Sequence, residues 1–477
     1  MAFLVLVIVL AVGELTSAQT TSAQTPGAVD QAAPTAAAEQ AGPSRRLTWA
    51  VSERVRYAGL FNQFRPGLSG DDRSIVFRTT LKGGFEWRRV TLVGELQDAR
   101  AYLTDEGSYL STALINAVDL LQAYVQVNRA TTSAAWAPEV QLGRFTMELG
   151  SGRLIAQEQY RDVTRTFTGA KVRWPRIGGG ALTALAVLPV AILPEAREGL
   201  LRNRIELDTA RFNQKFWGAH YERPRLWPGH RGEAYFYALG EHDDPGRRET
   251  RDRELWTAGV RVLRPATVGG WDVDVESAWQ RGSTHGSTAA ADQRALDVSA
   301  RLLHLQGGYT FDRRWLPRLG VEYEYGSGDA NPVDGAWNRF DGLFGHRRVE
   351  LAPTSIYGAL GRENIDTYGV RLQVAPSPRT DAFAVYRVLR LAAAADAFAN
   401  TGVRDPSGRS GREGGQQIDL RFRTWIKPGQ VRMEFGVTHL IAGHFLKVAP
   451  NATREGNTTF FYADVTYSLA SKPSRIF

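Results

Sequence analysis

Arginine carries most of the chemistry this chain can do. Of its 58 basic residues all but six are arginine, set against 50 acidic residues for a net charge of +8. A guanidinium stays charged and binds a carboxylate through paired hydrogen bonds. Several arginines stand two positions apart with one apolar residue between them. Arg54 and Arg56 flank Val55, and Arg421 and Arg423 flank Phe422. In a strand, that spacing puts both bases on one face and the apolar residue on the other. Arg78, Lys171, Arg173 and Arg371 stand in similar runs, and the acids repeat the pattern with Asp272 and Asp274, then Glu322 and Glu324. Rows of bases along a hydrated passage lower the electrostatic barrier for an anion. The acids hold the bases in place and keep binding weak enough for release. A GC-rich genome is a second source of the arginine excess and holds beside the first, because charge identifies a partner only where it is localised.

Other chemistries lack their residues. There is no cysteine, which excludes disulfides and thiolate metal sites. Neither a Gly-x-Ser-x-Gly elbow nor a His-Glu-x-x-His helix is present, and the eight histidines are scattered. The expectation is a protein with no catalytic residues, no metal, no cofactor and no nucleic-acid partner. Asp329-x-Asn331-x-x-Asp334-Gly335 invites comparison with a calcium loop. Its spacing is one residue off, and Phe340 stands where the twelfth-position Glu belongs, so a structural turn is the better reading.

The elements that must position these residues are strands. From Leu47 onward apolar and polar residues alternate in short runs, as in Tyr368, Val370, Leu372 and Val374 against Thr367, Gly369, Arg371 and Gln373. About 18 such runs are expected, near 47–58, 74–82, 88–97, 119–128, 139–145, 166–174, 180–189, 213–222, 232–241, 253–263, 270–281, 295–311, 317–326, 365–374, 382–391, 416–426, 431–441 and 458–469. Tight turns at Gly83-Gly84, Arg313-Arg314 and Lys427-Pro428-Gly429 alternate with long loops such as 327–364 and 392–415. One apolar and one charged face, repeated over so many strands, predicts an all-β protein. It is a transmembrane antiparallel β-barrel of about 18 strands with a polar lumen, short periplasmic turns and long extracellular loops. The mean hydropathy of −0.29 suits it, because only alternate residues face lipid. Residues 1–18 read as a signal peptide, 19–46 as an irregular Ala/Thr/Gln/Pro lead-in, and 47–477 as the barrel, placing the protein in the bacterial outer membrane.

Three segments resemble the alginate-export porin family. The first runs from Leu142-Gly143-Arg144-Phe145 through Gly150-Ser151-Gly152-Arg153-Leu154 and Arg161 to Arg165-Thr166-Phe167-Thr168-Gly169. It is similar to that family's succession of Gly-Arg, Gly-x-x-Arg-Leu and Arg-Thr-Phe-x-Gly, with a shorter middle element and Thr168 where the family often has an acid. The second is Gly326-Ser327-Gly328-Asp329-Ala330-Asn331-Pro332 with Phe340-Asp341-Gly342-Leu343-Phe344; the third is Thr438-His439-Leu440 with Gly443-His444-Phe445-Leu446.

The resemblance implies a narrowed, arginine-rich lumen passing an anionic polysaccharide such as alginate, with Arg144, Arg153 and Arg165 at the constriction. Strict alternation instead puts Arg144 with Leu142 on the lipid side, so either a bulge at Gly143 re-aims it or it belongs to a loop. Each arginine has a structural reading too, as the partner of a luminal acid or of lipopolysaccharide. The expected partners are an anionic polysaccharide or small anions, outer-membrane lipid and lipopolysaccharide, and periplasmic export proteins. A general or small-anion porin is the nearest alternative. A barrel hydrolase, from another class, needs a Ser/His/acid cluster at one rim.

Overall fold

The computed structural model describes residues 45–127, 137–157, 160–243, 250–289, 291–346, 351, 360–453, 456–471 and 474–476. The signal-like segment, most of the lead-in and Phe477 lie outside them. Eighteen long strands form one antiparallel barrel. They begin with β1 (Arg45–Phe61), β2 (Asp72–Trp87), β3 (Val90–Tyr102), β4 (Asn116–Val127), β5 (Glu139–Phe145) and β6 (Phe167–Ile177). Then come β7 (Gly180–Ala191), β8 (Gln214–Trp227), β9 (His230–Glu241), β10 (Glu254–Arg264), β11 (Gly270–His285) and β12 (Ala295–Thr310). The ring is completed by β13 (Arg318–Gly326), β14 (Ile365–Ser377), β15 (Thr380–Arg390), β16 (Glu413–Lys427), β17 (Val431–Ala442) and β18 (Thr458–Ala470). Each strand pairs with the next, and β18 closes on β1 from Ala50↔Ala470 to Phe61↔Thr459. Every expected run coincides with a strand.

The faces sort as alternation requires. Trp271, Trp279, Leu420 and Val465 are exposed on the outside, while Glu276, Asp419 and Asp464 are buried inside. This reverses the soluble arrangement and leaves an apolar belt for lipid. One turn differs from its expected place. Gly83-Gly84 lies inside β2, paired with Trp49 and Thr48, and the chain reverses at Arg88-Arg89. A Cβ on Gly84 would stand 2.6 Å from Thr48 Oγ1, so glycine there serves close strand approach rather than a turn.

Most of the long connections are odd-numbered, and described residues of several of them pack inside the barrel. The described residues of the 146–166 connection, 146–157 and 160–166, reach both β1 and β11 across the lumen. Asp162 receives hydrogen bonds from Arg54 on β1 (2.5 Å), and the Tyr160 carbonyl accepts from Arg56 (2.6 Å). Farther round the ring, Arg153 of the same connection meets Asp274 (2.9 Å) and Glu276 on β11. Burial alone would raise the Asp162 carboxyl; Arg54 and Arg56 outweigh it and hold it below the ordinary carboxylate range. Two apolar cores set the loops together. One joins Phe64, Tyr109, Leu391, Phe398 and Phe445 of helix α2 (His444–Val448), a helix within the last long connection. The other joins Phe145, Ile155, Phe216, Phe340 and Phe344.

The wall is notched at β5. β5 and β6 stop short at the long-loop end, and the chain between β7 and β8 fills the gap after the one-turn helix α1 (Arg197–Leu201). Thr209 and Ala210 pair with Ala191 and Val190 of β7, and Asn203 both donates to and accepts from the Ala101 backbone on β3 at 2.9 Å. Along this segment Ile205, Leu207 and Phe212 are 56%, 65% and 81% exposed.

Tags inserted at Gly335 and Gly408 should be reachable on intact cells, and one at Gly429 should not; labelling at Gly429 without permeabilisation would reverse the orientation. Asp162→Ala leaves Arg54 buried without its carboxylate, a loss of about 3–5 kcal/mol. A lower urea midpoint and a larger, noisier single-channel conductance are expected; unchanged conductance would show that residues 146–166 do not narrow the passage. In the wild type this anchor is present at neutral pH and is lost only as pH falls through the lowered pKa of Asp162.

Candidate functional site

Inside the barrel the connections differ from the strands in having no period, so their side chains aim wherever packing sends them. The infolded loops leave a pocket of about 290 Å³ between them, and seven arginines line it. Arg153, Arg161 and Arg165 come from residues 146–166, Arg251 and Arg253 from 242–253, and Arg339 and Arg362 from 327–364. Two carboxylates, Asp341 and Glu363, accompany them.

Five of these guanidinium groups are anchored by ion pairs or hydrogen bonds. Arg253 donates to Glu241 and Asp341, each at 2.6 Å. Arg339 pairs with Asp396 (2.9 Å), Arg362 with Glu324 (2.9 Å), and Arg153 with Asp274 and Glu276. Arg251 lies 4.1 Å above the Trp337 ring and donates to the His285 carbonyl (2.9 Å); Arg165 lies 5.8 Å from the Phe344 centroid. Burial alone would raise the Asp341 carboxyl, but Arg253 outweighs it and keeps it below the ordinary range. Each anchor takes part of a five-donor fork, and a fork so held is oriented before any anion arrives.

The structure thus brings together Arg153 and Arg165 of the expected constriction residues, and Arg144 lies elsewhere. Gly143 has φ 125°, β5 ends one residue after Arg144, and the guanidinium lies in the wall notch. There it donates to Asp119 (2.5 Å), Asp208 (3.0 Å) and Thr166 (3.2 Å), tying the inserted segment to the strands.

Most of the strand-borne bases serve the wall. Arg54 and Arg56 are 1% exposed and hold residues 160–162, and Arg56 also bonds Asp464 at 2.9 Å. Arg371 and Arg387 share Glu322, Arg421 and Arg423 share Asp381, and Arg318 pairs with Asp272 at 2.5 Å. Glu324 also meets His304 (2.5 Å), and Asp274 also meets Arg261 (2.7 Å). Lys171 lies 5.3 Å from the Phe145 ring, and Arg173 reaches Glu222 at 3.7 Å. Arg78 stands across from Arg54 on β2, partly exposed to the lumen, and Arg432 on β17 lies 5.9 Å from Trp425. The acids Asp272, Asp274, Glu322 and Glu324 are each paired with an arginine.

Alternation could not have revealed Arg251, Arg339 or Arg362, because it says nothing about loops; Arg253 opened the expected run 253–263 but carried no mark of its own. A partial signal existed in the density of charge across 250–254 and in Phe340-Asp341-Gly342-Leu343-Phe344. The Asp329 loop is a turn held by its own acids: Asp329 accepts from the Asn331 amide (3.3 Å) and Asp334 from the Ala336 amide (2.8 Å).

No curated protein sequence matches the chain. Solved structures similar to it include three barrels from Pseudomonas aeruginosa. OccK8 (OprE) shares 11% identity at a TM-score of 0.56, over 89% of this chain and 98% of that one. OccK9 (OpdG) shares 14% at 0.56, over 89% and 98%, and the outer membrane protein OpdK 12% at 0.55, over 89% and 99%. At these identities the likeness shows the fold alone. The alginate-export family profile matches residues 51–460, from β1 into β18. With the barrel, its outward apolar belt and that match in hand, the chain belongs to the alginate-export family of outer-membrane porins.

Proposed function

We propose that this porin gives passive passage to an anionic polysaccharide such as alginate, which crosses the arginine pocket as a chain of carboxylates. The observation that carries the reading is the gathering of seven arginines against two carboxylates in one narrow space. A polymer bearing repeated carboxylates can exchange one guanidinium for the next without leaving the positive region. The carboxylates paired with Arg153, Arg253, Arg339 and Arg362 offset part of their charge, which keeps binding weak enough to release. Arg78 and Arg432, both lumen-side on their strands, extend the basic path beyond the loops. In this reading the barrel performs no chemistry and its selectivity is electrostatic. The modest pocket volume of about 290 Å³ favours one other reading, a channel for small anions.

Reversal potentials in planar bilayers test the proposal. The wild type should prefer anions. Arg161→Glu with Arg165→Glu should move the selectivity toward cations, most strongly at low ionic strength, where screening is weak. Alginate oligomers should block the chloride current of the wild type and lose that block in the double variant. Unchanged selectivity in a folded variant would overturn the assignment of the pocket. Anion selectivity with no oligomer block would replace the polysaccharide by small anions.

A further inference from the structure

The lipid-facing surface carries a second cavity, of about 580 Å³, close to the short-turn rim between β11, β12 and β13. Trp271, Tyr309, Phe311, Leu319 and Val321 wall it, and Gly307 forms its floor. A Cβ placed on Gly307 would meet only the Asp272 carbonyl, at 3.9 Å, so the space above that residue is open. Trp271, Leu319 and Val321 are 66%, 54% and 61% exposed. The hollow therefore lies within the apolar belt, where the surrounding medium is hydrocarbon.

Its mouth is basic. Phe311 leads into the turn 311–317, whose Arg313 amide donates to the Phe311 carbonyl at 3.0 Å. Arg313, Arg314 and Trp315 are exposed, with Arg314 standing 5.4 Å over the Trp315 ring. Arg264, at the end of neighbouring β10, is exposed on the flank, and Asp312 is the one exposed acid in the turn. Each fully described short turn carries an exposed Arg or Lys in or beside it, from Arg88 to Lys427. This turn joins such charge to the end of an apolar cavity, through Phe311. Aromatic residues at headgroup depth and bases facing an anionic surface are the two features that fix a phospholipid at a membrane boundary.

We propose that this groove holds one anionic phospholipid of the periplasmic leaflet. An acyl chain lies over Gly307 between Trp271 and Val321, and the phosphate rests on Arg313 and Arg314. The net positive turn selects an anionic headgroup over a zwitterionic one, whose own ammonium is repelled there. The site is separate from the luminal pocket, so it stands whatever the cargo is.

Native mass spectrometry of the full barrel, released from bilayers of equal phosphatidylglycerol and phosphatidylethanolamine, tests this. The wild type should retain one phosphatidylglycerol several-fold in preference. Arg313→Gln with Arg314→Gln should abolish the preference. Gly307→Leu, whose side chain enters the groove, should lower retention of both lipids with unchanged heat-modifiable mobility. Equal retention of the two lipids by the wild type would overturn the proposal. So would retention untouched by both variants, or a dimer occupying the groove in place of lipid.

Discussion

A strand in hydrocarbon has no water to satisfy its amide and carbonyl groups, so the ladder must close on itself. Here closure falls to β1 and β18, twelve paired positions from Ala50↔Ala470 to Phe61↔Thr459. Everything else follows from that ring. Eighteen strands enclose more space than strand side chains can fill, and the long connections turn inward to occupy it. Apolar contact among Phe145, Phe167, Phe216 and Phe344 packs one side, with Phe216 and Phe344 centroids 4.9 Å apart. Charge then decides where the loops stop, because the inward faces of the strands are already polar.

The resulting ion pairs differ in kind from surface salt bridges. Arg54, Asp162, Arg56 and Asp464 are all nearly inaccessible, so each would be costly alone, and none is alone. Arginine suits this duty because one guanidinium can bond two partners at once. Arg56 does so with the Tyr160 carbonyl and Asp464. The same property operates in the pocket with the opposite emphasis. There anchored arginines line the space between the loops, so one residue type both fastens the loops and faces the gap they leave.

How much of this was legible depended on periodicity. All 18 strands were visible because a half-buried strand repeats every two residues, and the facing of Asp419, Arg421 and Arg423 against Leu420 and Phe422 followed directly. Gly83-Gly84 misled because paired glycines mark turns more often than they mark close strand contact. Arg144 could not be resolved, since its orientation depends on Gly143 and on Asp208, 64 residues away. The loop arginines were hidden for the same reason. Asp162 finds Arg54 across 108 residues of sequence, and no local pattern encodes such a meeting. The family motif supplied what alternation lacked for Arg153 and Arg165, by marking the segment and not the direction of its side chains.

The inserted segment over the wall notch has a consequence for the surrounding bilayer. Without it, the short β5 and β6 would present a lower hydrophobic height on one side of the barrel than elsewhere. Lipid beside them would have to thin locally, at a fraction of a kcal/mol for each ångström of mismatch. Ile205, Leu207 and Phe212 restore apolar height across that arc, although none of them belongs to a long strand. Bilayer thickness around the barrel is thus matched partly by a connection, and the ties through Asn203 and Asp208 keep that match in place.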